Sequence, residues 1–326
     1  MKTKTNRSLL WSFAIKVAVL LLLAFALYKQ LYKNEDVLQI PQLLSDRTGG
    51  NTFFILVILL FLMFLNWGIE AYKWKLLIQK LNPIRFIRTF KAVWTGVTLG
   101  LFTPNRVGEF GGRILYVPRK FRIPAVIVSL IGSFSQNLAT IITGVISMII
   151  YLHKVEHIAS FLFFSVILIS SITIILLLLA YYNLDVVIQV FKRSKFLKRI
   201  YSYTEVLKIY HSTDVTVLLL LSILRYAVYA AQYLIFLRLF GAEIGIFDGI
   251  VAIGVIYLAQ TVVPSFAIVD LLTRLPIATL IFSNYNVNVG ITLAATSSIW
   301  ILNLIVPATL GYIFIFKYNF FKNKQS

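Results

Sequence analysis

Leu99-Gly-Leu-Phe-Thr-Pro-Asn-Arg-Val-Gly-Glu-Phe-Gly-Gly-Arg113 sets a proline, two arginines and a glutamate inside an otherwise apolar run. Pro104 removes a backbone donor and breaks a helix, while Glu109 and Arg113, four residues apart, share one face of the helix that restarts. A second stretch repeats the pattern: Val263-Pro-Ser-Phe-Ala-Ile-Val-Asp270, then Arg274. Broken backbone and charge are expensive inside a bilayer and survive there around polar sites or cavities. A matched pair of interrupted apolar segments points to a transporter-type binding site.

The surrounding composition makes the bilayer reading firm. Of 326 residues, 59% are hydrophobic, the mean hydropathy is +0.86, and several apolar runs exceed the roughly 18 residues that span a bilayer. Spans are expected near 8–28, 51–71, 124–151, 158–182, 214–238 and 289–316. They use nearly the whole chain as one membrane domain, 1–326. The net charge of +19 lies beside these spans, so its partners are anionic lipid headgroups rather than nucleic acid. With no cysteine, disulfides, thiolate metal sites and a cysteine nucleophile are excluded. The N-terminal Lys2, Lys4 and Arg7 before an apolar stretch resemble a signal peptide. The run is long for one, and a retained anchor is expected.

Flanking charge gives the topology. Lys73, Lys75, Lys80, Arg85, Arg88 and Lys91 precede the first broken region (about 92–117), and Arg119, Lys120 and Arg122 follow it. Both flanks are basic and hence cytoplasmic, so the segment enters and leaves on one side. Residues 92–103 would reach only about 18 Å as a helix, short of a core of about 30 Å. The second region (246–283) lacks basic flanks and dips from outside. The expected fold is all-α and polytopic: six full spans plus two re-entrant hairpins, both termini cytoplasmic. The halves, about 8–151 and 158–316, form an inverted-topology repeat. The alternative, in which each broken region spans fully as two helices, preserves the same sidedness. Residues 185–212 alternate basic and apolar side chains and read as an amphipathic helix on the cytoplasmic headgroup layer.

Several residues are candidates for the chemistry. Gly108, Gly111 and Gly112 permit close backbone approach, and free amides at the restarting helix favour an anion. In one reading Arg106 binds a lipid phosphate while Glu109 pairs with Arg113 or meets a cationic headgroup. In the other, Glu109–Arg113 pins the hairpin and Arg106 snorkels to headgroups. Asp270 and Arg274 mirror them. Arg225, with Tyr229 and Gln232 on the same face, lines the pathway or pairs with Asp270 or Glu109. Asn66, Glu70, Gln136, Asn137 and Asn303 read as interhelical glue. His153 and His157 lie in a short loop with no second ligand motif, so no metal is expected, and neither is any other cofactor. No nucleophile elbow, phosphate-binding glycine loop or HExxH marks the chain as an enzyme.

The stretch 99–113, together with Pro264 to Arg274 and the Arg225-Tyr226 to Gln232-Tyr233 span, resembles the signature of the lysylphosphatidylglycerol synthase transmembrane region family, also called flippase-like. The resemblance covers nearly the whole chain. It implies a bacterial or archaeal inner-membrane protein, in some members the lipid-translocating part of an aminoacyl-phospholipid synthase. It also implies a translocation site holding Pro104, Arg106, Gly108, Glu109, Arg113, Asp270 and Arg274. Asn105, Arg225, Gln232 and Pro264 complete the expected substrate-binding set. These 326 residues leave no stretch for an aminoacyltransferase domain, so the flippase part alone is expected. The ligand would be a lipid with an anionic or zwitterionic headgroup. The rival functions are a secondary transporter of a small anion and a non-transporting partner of a lipid- or glycan-modifying enzyme.

Overall fold

Long apolar runs become long helices in this structure, a computed structural model that describes residues 21, 50–103, 106–156, 159–193, 201–262 and 270–317. Helices α1 (Gly50–Ile78), α4 (Arg122–Tyr151), α5 (Ser160–Tyr182) and α7 (Ser212–Leu239) hold 23 to 30 residues each. About 20 suffice to cross a bilayer core. A fifth span, Val289–Phe316, consists of α10 (Val289–Trp300), a π-helical turn (Ile301–Ile305) and α11 (Val306–Lys317). Pro307 cannot donate to the carbonyl four residues back, that of Asn303, and the ladder loosens there into the π turn. The chain is an all-α, multi-pass membrane protein. The expected span 8–28 lies outside the described residues.

The shorter apolar pieces fold as hairpins. α2 (Phe86–Gly100) has 15 residues and α3 (Gly108–Ile114) has seven, and α3 runs back along α2. Glycine permits that approach. A Cβ on Gly112 would collide with the Gly96 backbone, and one on Gly108 with the Leu99 carbonyl. Gly111 departs from the expectation, because nothing stands within 4 Å of where its Cβ would be. The second hairpin is α8 (Ile246–Val262) and α9 (Asp270–Ser283).

The hairpins open at opposite ends of the bundle. At one end, Lys80 after α1 pairs with Asp214 of α7 at 2.5 Å, and Tyr210 donates to the Leu77 carbonyl. At the other, Lys154 after α4 meets Asp248 of α8 at 2.6 Å, and Asn284 after α9 donates to Tyr151. Each hairpin also packs on the last span of the opposite half. α2 lies along α11, where Gly311 touches the Trp94 carbonyl, and α8 lies along α4, where Gly254 abuts Ser147 and Gly144 abuts Leu258.

One sequence expectation needs correction. Lys73, counted among the cytoplasmic flanking charges, is buried: Glu70 lies one helical turn away at 3.5 Å, and its ammonium donates to the Gly132 carbonyl. Within the 185–212 segment the described residues form α6 (Leu184–Arg193) and a short helical turn at 201–209. Ile188, Leu207 and Tyr210 pack on Ile127 and Val128 of α4 and Leu218 of α7. Part of its apolar face therefore covers the bundle rather than the headgroup layer; residues 194–200 lie outside the described set.

Candidate functional site

Arg225 is the fourteenth residue of the 28 in α7, and Gln136 the fifteenth of the 30 in α4. Both sit midway along a span, where an ionised side chain must be paired or face a polar space. Here both conditions hold. The Arg225 guanidinium donates from Nε to Asn66 Oδ1 at 2.7 Å and from Nη1 to Glu70 Oε2 at 3.1 Å. It stands 5.0 Å from the Trp67 ring centre and 5.9 Å from that of Tyr229, within cation–π range.

Glu70 is the hub. Its other oxygen accepts from Arg113 Nη2 at 2.8 Å, and Lys73 lies at 3.5 Å. Arg113, 5% exposed, also reaches Glu109 at 3.3 Å, and Glu109 in turn lies 3.8 Å from Arg106. The i,i+4 pair expected within α3 is therefore one link of a chain joining the first hairpin to α1 and α7. On the opposite side of Arg225, Asn66 donates to Asn303 Oδ1 at 2.9 Å, and Asn303 donates to Gln232 Oε1 at 3.1 Å. The π turn brings Asn303 into this network.

A cavity of about 260 Å³ lies beside these groups. Arg106 enters it from the turn of the first hairpin, Gln260 and Thr261 from the end of α8, Arg274 from α9, and Arg225, Tyr226 and Tyr229 from α7. Gln136, Asn137 and Thr140 of α4 and Tyr257 of α8 close the wall. Arg106 holds φ 56°, a left-handed backbone that arginine rarely adopts. The Tyr257 hydroxyl is buried and makes no hydrogen bond.

Of the expected site residues, the structure brings Arg106, Arg225 and Arg274 to one cavity, with Gly108, Glu109 and Arg113 directly behind Arg106. Gln232 is not there. It is fully buried, donates to the Leu59 carbonyl and accepts from Asn303, so it braces helices. Arg225 takes Glu70 as its carboxylate. Asp270 opens α9 one turn before Arg274; Pro104, Asn105, Pro264 and His157 lie outside the described residues. Sequence reasoning had set Glu70 and Gln136 aside as glue, yet both hold the cavity's arginine. It passed over Gly96 and Gly100 altogether, although their four-residue spacing matches that of Gly108 and Gly112 and is a known signal for close helix contact.

Residues 11–311 match the family described as the lysylphosphatidylglycerol synthase TM region. The chain belongs to that family. No curated protein and no solved structure matches it.

Proposed function

We propose that this member of the family moves an amphiphilic lipid with a charged headgroup between the leaflets of a bacterial inner membrane, with both chain termini on the cytoplasmic side. The observation that carries the reading is the convergence of both hairpins and Arg225 on one polar cavity at mid-depth. Cationic side chains around a mid-membrane cavity are costly unless a ligand uses them. The cavity is smaller than the roughly 300–1,000 Å³ of sites that enclose a whole drug-sized ligand. It suits a headgroup whose acyl chains stay in the lipid. Alternating access would follow from rocking the two halves about this site. Movement would be downhill or ion-coupled, with Glu109 and Asp270 as the titratable candidates, and no bond is made or broken.

The same small volume also favours a second reading, transport of a small water-soluble anion. A scaffold for a lipid- or glycan-modifying enzyme has no evident use for three arginines around an internal cavity. Reconstitution separates the readings. Proteoliposomes carrying headgroup-labelled lipids should lose inner-leaflet protection of the label when the protein is present, and empty liposomes should not. Uptake of labelled glycerol 3-phosphate without any lipid movement would replace the lipid reading with the solute one.

A further inference from the structure

The charges around the cavity do not cancel. Arg106, Arg113, Arg225 and Lys73 share Glu70 and Glu109, and Arg274 adds a fifth cation. Counting Asp270 against Arg274 still leaves five cations to three carboxylates. The carboxylates of Glu70 and Glu109 stand behind the guanidinium groups, and neither lines the cavity. We infer that the headgroup accepted here is a dianion, as a phosphomonoester is, rather than a zwitterion. This rests on the lipid-transport reading for the source of the phosphate, though not for its charge.

Three observations support it. A surplus of two cations at mid-depth is neutralised by one dianion, and guanidinium groups pair with phosphate oxygens through strong charge-assisted hydrogen bonds. The buried, unpartnered Tyr257 hydroxyl offers the wall a further donor. A zwitterion's ammonium group would find Glu70 and Glu109 already engaged by arginine and lysine. Tyr229, a ring of the kind that elsewhere cages such cations, already holds Arg225.

The test is binding to the purified full-length chain in detergent at pH 8, where a phosphomonoester with a second pKa of about 6 is doubly ionised. Short-chain phosphatidic acid, phosphatidylglycerol and phosphatidylcholine provide two, one and no net negative charges. The expected order follows charge, with phosphatidic acid at least about tenfold tighter than phosphatidylcholine. Arg106→Gln, at the half-buried hairpin turn, should shrink that ratio; Arg274→Gln serves if the first variant does not fold. Binding of phosphatidylcholine or phosphatidylglycerol as tight as that of phosphatidic acid, or no binding of phosphatidic acid, would overturn the inference. Glycerol 3-phosphate binding as well as phosphatidic acid would keep the dianion and remove the lipid. Translocation of every lipid class with equal affinities would do the reverse.

Discussion

Glu70 touches three cations, whereas each of those cations has a further polar contact. Removing the acid and removing a base should therefore differ in cost. Glu70→Gln leaves two arginines and a lysine around a neutral amide, and breaking a buried pair in this way costs about 3–5 kcal/mol. Arg113→Gln leaves Glu70 with Arg225 and Lys73, so melting in detergent should fall much less. Glu109→Gln should cost about 1 kcal/mol or less, because Arg113 keeps its closer bond to Glu70. Equal melting losses for Glu70→Gln and Arg113→Gln would contradict the cation surplus. At this scale the sequence was only partly legible. Arg106, Arg225 and Arg274 stood out because charge in an apolar run is conspicuous. The partner of Arg225 did not, since Glu70 is 155 residues away and only the packing of α1 on α7 joins them.

At the scale of elements, the first hairpin depends on Gly112 meeting Gly96 and on Gly108 seating against the Leu99 carbonyl. Gly112→Val should force α3 off α2 and cost about 1–3 kcal/mol by overpacking. Gly111→Ala should be neutral or stabilising by up to about 1 kcal/mol, because the site is open and alanine is the better helix former. Thermal melts of the two variants read this directly; equal losses would remove the close contact. The hairpin itself was readable from Pro104 and from the shortness of the run before it. What covers the 185–212 segment was less legible for a physical reason. Amphipathicity says that one face is apolar, not whether lipid or protein covers it.

At the scale of the molecule, the opposite openings of the two hairpins were legible in flanking charge, because long-range placement follows from which ends are basic. The chain contains no cysteine, so single cysteines can test it. Those replacing Lys120 and Lys208 should react with an impermeant maleimide only from the cytoplasmic side, and those replacing Lys154 and Asn286 only from outside. Labelling of Lys120→Cys and Asn286→Cys from the same side would remove the inverted arrangement. The cavity's walls were less legible, since α4 and α8 give it residues that are unremarkable alone. Thr140→Cys places one thiol in that wall, and Leu168→Cys places one on the apolar outer surface of α5. After both are modified to completion with a bulky maleimide, lipid translocation in proteoliposomes decides whether the headgroup passes through the cavity. The Thr140 adduct should stop headgroup movement while the Leu168 adduct leaves it at the wild-type rate; undiminished movement past the Thr140 adduct would contradict passage through the cavity.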